Sequence, residues 1–445
     1  MSLFKSHVVS FIQPGGPSRL ISTSISRLAP PKSKSAGPPR RVTQAVGFTR
    51  RKARDPSQSN SGSGTSNSSR NQVVLRYKDA YREPDLSDLP VLYPETVTSS
   101  NVGKVVTLHQ RTFQNLKEIG LPKRILKELS ESGGPAWVIR QATLDLKTRM
   151  EIASSSKKVS PLLLAGDKGS GKTFLHLHAT AYALESDWIV LSIPRASEWV
   201  CSIHAYECHL PTKIFRQPTL AADLLNRLLQ TSENRLAKIP TGQETQNLAE
   251  LAKSGTGIRA DSSAVLEEVI DILANQTQFP VLFAIDEAQV LFGPSAYRNP
   301  RYEILQAYNL SIPLLALDFL TGKRAFKRGL TLASISRTTP DFPVALPLSV
   351  ALDLPIPPSH AVTPYTKIDP IHLANASAGM DKLEVGQMSG EEAAGLFTLF
   401  ARKGWVTSSD ELFTSCLMAS SGNAGEFVRG LRNTLQAFRQ PQRHI

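Results

Sequence analysis

The middle of the chain alternates between short apolar runs and longer segments in which apolar residues recur every three or four positions. Four runs contain few polar residues, and they lie at 161–165, 188–193, 280–285 and 330–336. Such runs are typical of strands buried on both faces, and the spacing between them is typical of amphipathic helices. With a fifth strand predicted at 382–386, the pattern predicts an α/β fold, a parallel sheet with helices on both faces.

The segments on either side of this sheet are predicted to be helical. Before it, 110–132 predicts two short helices divided by Pro122, and 135–155 predicts further helix. After it, Ser389 and Glu392 have the spacing of a capping box, which predicts the start of a helix. The C-terminal helices are predicted at 393–402, 409–420 and 424–438.

The chain between the second and third strands is too long for a single crossover helix. It has helical patterns at 221–239 and 262–277, and the polar, glycine-containing stretch 241–258 between them predicts a surface loop. Residues 340–370 are rich in proline and predict irregular chain. The predicted units are an N-terminal extension at 76–155, a sheet domain at 156–388 with an insertion at about 200–278, and a helical domain at 389–445.

The N-terminal part has a different composition. Residues 1–30 carry Arg, Lys, Ser and scattered apolar residues without an acid, which is typical of a mitochondrial transit peptide. A secretory signal would need a continuous apolar core, and Pro14-Gly15-Gly16 interrupts this one. The alternative is a disordered basic tail. Residues 31–75 are rich in Pro, Ser and Gly and predict a disordered linker.

The formal net charge of +13 alone would suggest a nucleic-acid binder, but most of the excess positive charge lies in the N-terminal segment. Residues 1–54 hold 11 Lys and Arg residues and no acid, and the rest of the chain has 40 basic against 38 acidic residues. The predicted folded part is nearly neutral, so charge does not indicate extensive RNA binding. Only three cysteines are present, which fits a reducing compartment, and no apolar run is long enough to predict a membrane span.

A phosphate-binding loop follows the first strand. The octapeptide 166–173 fits G-x-x-x-x-G-K-[ST], with a strand before it and a helical pattern after it. Glycines let the backbone take positive φ and turn its N–H groups inward, Lys172 reaches the β- and γ-phosphates, and the Thr173 hydroxyl binds Mg²⁺. The predicted nucleotide-binding residues here are Gly166, Asp167, Lys168, Gly169, Ser170, Gly171, Lys172, Thr173 and Phe174.

The third predicted strand ends in two carboxylates, Asp286 and Glu287. In a P-loop protein the first would hold Mg²⁺, usually through water, and the second would orient or deprotonate an attacking water. We therefore predict Thr173 and Asp286 as the metal site and Glu287 as a candidate catalytic residue. The alternative is a solvated strand end.

A sheet of this kind followed by a helical lid is the architecture of AAA+ and related P-loop ATPases. Such proteins carry a polar residue that senses the γ-phosphate near the end of the fourth strand. Ser334 or Ser336 could serve here, and Ser336 is included in the predicted site. The nearby Arg337 could reach phosphate, and the alternative is an ordinary surface arginine. The lid position that often carries arginine is Gly425. No Asn-Lys-x-Asp motif for guanine is present, so the residues alone leave GTP and ATP open.

Several stretches outside the general P-loop motifs resemble the death-associated, GTP-binding protein family of the mitochondrial small ribosomal subunit. They lie at 186–194, 197–200, 297–302, 310–313 and 422–424 within a resemblance covering about 90–438. The resemblance implies a structural protein in the head of that subunit, among other small-subunit proteins and near bridges to the large subunit. It also implies GTP or GDP at Gly169, Gly171, Lys172 and Thr173, with Mg²⁺ near Thr173 and Asp286.

Two functions remain open from the sequence. The first is a structural ribosomal component, with rRNA contacts restricted to local patches such as 323–328. The second is a mitochondrial AAA+-like NTPase that acts as a remodelling or assembly factor, with ATP as the alternative nucleotide. The intact Asp286-Glu287 pair favours the enzyme, and the missing lid arginine argues against rapid turnover.

Overall fold

The computed structural model describes residues 86–439 except 87, 123–124, 127–128, 130–134, 156–158, 243–245, 258–259, 338–340, 357–362 and 364–365. The predicted transit peptide at 1–30 and the predicted linker at 31–75 lie outside the described residues. Among the described helices, none is long and apolar enough to cross a membrane.

The centre of the fold is a five-stranded, fully parallel sheet. The strands are β3 (Leu162–Ala165), β4 (Ile189–Ile193), β7 (Val281–Ile285), β10 (Gly329–Ser334) and β11 (Asp381–Glu384). Their spatial order is β11-β3-β10-β7-β4. All five predicted strands are therefore confirmed to within a few residues.

Helices cover both faces of this sheet, as predicted. Side chains alternate along β3, so Leu163 and Ala165 join one apolar cluster while Leu162 and Leu164 join the other. Helices α4 (Pro218–Leu236), α5 (Leu248–Ser254), α6 (Ser262–Asn275) and α7 (Ser311–Leu320) pack in the first cluster. Helices α1 (Gln110–Ile119), α2 (Gln141–Ser154) and α3 (Lys172–Glu185) pack in the second.

The remaining strands form three small antiparallel pairs. They are β1 (Val105–Thr107) with β2 (Ala136–Val138), β5 (Glu207–His209) with β6 (Ile214–Arg216), and β8 (Pro294–Arg298) with β9 (Ile304–Gln306). The prediction of helix throughout 135–155 was wrong at β2, because Trp137 and its neighbours are buried as an extended segment paired with β1.

Two predicted loops contain short helices. Helix α5 lies inside the stretch 241–258, where Asn247 and Glu250 form a capping box and Leu248 and Ala252 are fully buried. Helix α8 (Leu346–Ala351) lies inside the proline-rich stretch 340–370, and α9 (Pro370–Ala376) begins at its end. Proline at a helix start is compatible with the helix, so a proline-rich composition did not exclude these elements.

The C-terminal helices were predicted correctly. They are α10 (Gly390–Arg402), α11 (Asp410–Ser420) and α12 (Ala424–Arg439), and the capping box of Ser389 and Glu392 is present. The three helices enclose their own apolar cluster around Phe397, Phe400 and Phe427. Helix α10 also contacts the β1–β2 pair, where Leu399 is buried together with Val105 and Val138.

Candidate functional site

The loop between β3 and α3 has the backbone that the sequence predicts. Gly166, Gly169 and Gly171 take φ values of 143°, 84° and 101°. A Cβ on Gly166 would lie 2.5 Å from the Val385 carbonyl oxygen, so this glycine is required by both its φ and its surroundings. Helix α3 begins immediately afterwards at Lys172. Its first N–H groups and its positive end therefore adjoin the loop, an arrangement that favours an anion.

Lys172 is folded back over the same loop. Its ammonium donates to the carbonyl oxygens of Gly166 at 2.9 Å and Asp167 at 2.7 Å. Burial lowers the pKa of Lys172 to about 8, with the nearby positive charge of Arg337 acting in the same direction. Asp286 and Asp167 oppose this shift. A poorly hydrated ammonium among these groups is well placed to donate to phosphate oxygens.

Asp286 is buried at the carboxyl end of β7. One of its oxygens, Oδ1, accepts from the Ser334 hydroxyl at 2.5 Å and from the backbone N–H of Glu287 at 2.9 Å. The strand order explains this contact, because β10 lies between β3 and β7 and brings Ser334 to the same edge of the sheet. The aspartate is thus fixed by hydrogen bonds to Oδ1, and among the described residues no side chain or backbone group donates to Oδ2.

Glu287 takes φ = 61°, a left-handed conformation that is rare for a residue with a side chain. Its carboxylate accepts a short hydrogen bond from the Ser197 hydroxyl. Burial raises the pKa of Glu287, and the neighbouring charge of Asp286 adds to the rise while Ser197 opposes it. The carboxylate therefore lies beside Ser197, in the segment after β4.

The residues considered as phosphate sensors take different positions. Ser334 bonds Asp286, whereas the backbone N–H of Ser336 donates to Gln289 Oε1 at 2.9 Å. Arg337 forms an ion pair with Asp167 at 3.5 Å, and only 23% of its side chain is exposed. Of the two interpretations of Arg337, this position beside the phosphate-binding loop favours the one in which it could reach phosphate.

The other predicted loop residues differ in exposure. Ser170 is buried, Thr173 is half-buried in the first turn of α3, and Asp167 and Lys168 are exposed. Phe174 packs against the apolar cluster on its face of the sheet. Its position in the first turn of α3 makes its backbone N–H, rather than its ring, the group suited to a phosphate.

Arg140, which sequence reasoning missed, joins the loop to the C-terminal helices. Its Nη1 donates to the Ser170 carbonyl oxygen at 2.5 Å, its Nη2 to the Gly386 carbonyl oxygen at 3.0 Å, and its Nε to Glu392 at 2.8 Å. Both partners in the ion pair are largely buried. Glu392 lies 252 positions away in the sequence, so no local pattern could have identified the pair.

The start of α12 also rests directly on the phosphate-binding loop. The Asn423 amide donates to the Lys168 carbonyl oxygen, and the Gly425 N–H donates to the Gly169 carbonyl oxygen, both at 2.8 Å. A Cβ on Gly425 would lie 2.9 Å from the Gly169 Cα. Glycine at this position therefore permits a close backbone contact, while Arg429 on the next turn pairs with Glu426 instead.

The strand order, the glycine loop that opens α3, and the buried aspartate on β7 define a P-loop NTPase fold of the AAA+-like type. This confirms the predicted fold class.

The chain belongs to the family described as mitochondrial ribosomal death-associated protein 3, whose sequence profile matches residues 137–430. The resemblance seen in the sequence is thereby confirmed, and with it the predicted mitochondrial location.

Three curated relatives share the name small ribosomal subunit protein mS29. The Neurospora crassa protein is 25% identical over 397 residues, covering 83% of this chain and 82% of the relative. The Schizosaccharomyces pombe protein is 24% identical over 269 residues, and the match covers 56% of each chain. The Mus musculus protein is 26% identical over 219 residues, covering 45% of this chain and 56% of the relative.

A Walker-type ATPase of Pyrococcus abyssi matches 65% of each chain with 14% identity and a TM-score of 0.37. Similarity at that level carries no argument about the site. The fold class is assigned from the strand order and the phosphate-binding loop.

Proposed function

We propose that this small-subunit protein of the mitochondrial ribosome holds a guanine nucleotide with Mg²⁺ as a structural cofactor. The observation that carries the proposal is the phosphate-binding loop, in which three glycines at positive φ precede α3 and Lys172 lies over the loop carbonyl groups. The relatives named as small-subunit proteins supply the ribosomal setting.

The residues present fit such a ligand. Phosphates would accept hydrogen bonds from the N–H groups of Gly169, Gly171 and Lys172 and from the Lys172 ammonium. Magnesium prefers oxygen ligands and commonly retains several waters, so the Thr173 hydroxyl and the buried Asp286 carboxylate would suffice as protein groups. When bound, Mg²⁺ would neutralise phosphate charge beside this carboxylate.

A bound nucleotide would stabilise the folded chain. A ligand that binds only the native state contributes about 2.7 kcal/mol when its free concentration is 100 times its Kd. The loop adjoins Val385 just after β11, Arg140 just before α2 and Gly425 in α12, so this stabilisation would reach three parts of the molecule. Guanine as the base rests on the family resemblance, and adenine is the alternative.

The first test is the identity of the nucleotide released when the purified protein is denatured. We expect near-stoichiometric GDP or GTP from the wild type and none from Lys172→Ala, because the substitution removes the ammonium that contacts the phosphates. Chromatography against nucleotide standards measures both. Recovery of ADP or ATP would replace guanine with adenine, and an empty wild-type protein would overturn the proposal.

Nucleotide affinity should fall as the pH rises through about 8. The pKa of Lys172 is about 8, so the ammonium is lost above that pH, and one linked proton lowers affinity by up to about tenfold per pH unit. Titration with a fluorescent guanine nucleotide measures the effect. Lys172→Arg is the control, since arginine remains charged and should remove the dependence even if affinity is lower. Identical pH profiles for both proteins would contradict this role of Lys172.

The second candidate function is an AAA+-like NTPase that acts in remodelling or assembly. Glu287 favours it, because this buried carboxylate follows Asp286 and its raised pKa suits a general base. Glu287→Gln should then slow both nucleotide turnover and maturation of the small subunit. Normal nucleotide turnover by Glu287→Gln would overturn the proposal of an NTPase and would leave the proposal of a structural nucleotide unaffected.

We also propose contacts with the large subunit and with rRNA. The family resemblance supports bridges to the large subunit. For rRNA, the segment 323–328 has fewer available cations than its sequence suggests, since Lys323 and Arg324 pair with acids and Arg328 donates to three carbonyl oxygens. Lys327 is the exposed cation of that segment for which the described residues show no side-chain partner. Any rRNA contact there would depend mainly on Lys327.

A further inference from the structure

The strand pairs β5–β6 and β8–β9 contact each other, and neither contains a residue of the phosphate-binding loop. The Tyr206 hydroxyl donates to the Arg298 carbonyl oxygen at 2.6 Å, and its ring meets that of Tyr297 edge-on with centroids 4.8 Å apart. The Tyr297 hydroxyl donates to the His204 carbonyl oxygen. The exposed residues of 203–216 and 294–306 are called the paired-hairpin surface below.

Exposed apolar side chains concentrate on this surface. Among the described residues, eleven large apolar or aromatic side chains are exposed, and five of them belong to the paired-hairpin surface. These five are Ile203, Tyr206, Leu210, Tyr302 and Ile304, of which Leu210 and Tyr302 are 82% and 80% exposed. Single exposed apolar residues are common on proteins, whereas a concentration of them marks an interaction site.

The tip that carries Tyr302 is held in a fixed and unfavourable conformation. Tyr302 takes φ = 63°, which is unusual for an aromatic residue. The Asn299 side chain accepts from the N–H groups of Arg301 and Glu303, both at 2.9 Å, and the Arg298 guanidinium donates to the Tyr302 carbonyl oxygen at 2.8 Å. A strained backbone kept by several hydrogen bonds indicates that presenting this ring has a use.

The exposed charged residues of this surface are three basic and two acidic, and the basic residues Arg298 and Arg301 lie in the same tip as Tyr302. Lys213, Arg298 and Arg301 are exposed, and the two exposed acids are Glu207 and Glu303. The Glu303 carboxylate accepts from the Asn299 amide at 2.6 Å, so part of its hydrogen-bonding capacity is used within the tip. Tyrosine and arginine beside aliphatic residues are the composition found at the centres of protein interfaces.

We infer that the paired-hairpin surface binds another protein, through a pocket that receives Tyr302 and carboxylates that meet Arg298 and Arg301. RNA is the alternative occupant, because the rings of Tyr206 and Tyr302 could stack on bases. We favour protein because the other three exposed apolar side chains, Ile203, Leu210 and Ile304, are aliphatic and cannot stack. The inference rests on the proposed assembly of this chain into the small subunit, and it identifies the face used there by a protein neighbour.

Photo-crosslinking in assembled small subunits tests the inference. The substitution Tyr302→benzoylphenylalanine retains an aromatic side chain and captures groups within its immediate reach. We expect one predominant crosslinked protein, identified by mass spectrometry, whose attachment site has apolar residues flanked by Asp or Glu. Met418→benzoylphenylalanine is the matched control, because Met418 is 75% exposed on α11 and lies outside the paired-hairpin surface.

The outcomes distinguish the proposed assembly into the small subunit from the proposed protein-binding role of the paired-hairpin surface. Absence of the wild-type chain from small subunits in high salt would overturn its proposed assembly. If the chain is incorporated but position 302 crosslinks to rRNA, or to nothing, the protein-binding inference is overturned and the proposed assembly is not. Charge reversal gives a second measurement: Arg298→Glu with Arg301→Glu should lower the crosslink yield from position 302 at least fivefold, and unchanged yield would exclude the acidic partner.

Discussion

The substitution Gly425→Arg is expected to weaken nucleotide binding by roughly tenfold or more, about 1.4 kcal/mol. It would not supply the phosphate-binding arginine that AAA+ proteins often carry at this position. The Gly425 N–H lies 2.8 Å from the Gly169 carbonyl oxygen, and a Cβ would approach the Gly169 Cα to 2.9 Å. Any side chain there must push α12 off the phosphate-binding loop and release the backbone that turns its N–H groups toward phosphate. Titration with a fluorescent guanine nucleotide measures the loss.

Two companion variants make this result interpretable. Gly425→Ala adds only the Cβ and should weaken binding in the same direction without adding charge. Gly430→Ala lies on the same helix, where the nearest atom to the new Cβ is Cys416 Sγ at 3.7 Å, and should leave affinity unchanged. Tighter binding by Gly425→Arg would show that the lid can still accept a phosphate-binding arginine.

The substitution Gly395→Ala is expected to destabilise the fold by about 3 kcal/mol. A Cβ on Gly395 would lie 1.7 Å from the Gly103 carbonyl oxygen, so α10 must move away from the segment before β1. That movement would also disturb the buried contacts of Leu399 with Val105 and Val138. Chemical denaturation followed by circular dichroism measures the free energy of unfolding.

Gly390→Ala is the matched control for this second experiment. Gly390 begins the same helix and has no atom within 4 Å of an added Cβ. Replacement of an unhindered helical glycine by alanine is neutral or stabilises by up to about 1 kcal/mol. Equal stability of the two alanine variants would show that the segment around Gly103 adjusts easily and does not hold α10.

The sheet and the phosphate-binding loop could be predicted because their signals are local. Buried parallel strands leave continuous apolar runs, as at 281–285, and the loop needs glycine at fixed spacings. The capping box before α10 is likewise contained within four residues. In each case the residues that determine the conformation are neighbours in the chain.

The missed features depend on residues that are distant in sequence. Arg140 reaches Glu392 and Ser170, and Ser334 reaches Asp286 only because β10 is inserted between β3 and β7. The three-residue strands of the hairpins are too short to show a period of two, so their pairing was not predicted. The need for glycine at position 425 follows only from its close contact with Gly169, which is distant in sequence.

The position of β11 has a consequence for folding. Strand β3 pairs with β10 on one side and with β11 on the other, so residues 381–384 supply its second neighbour. A chain synthesised only as far as residue 380 leaves the Leu162–Ala165 edge without its partner, and such unpaired apolar edges promote aggregation. Pairings this far apart in sequence close slowly, so the interval before β11 docks is when the growing chain most needs protection by chaperones.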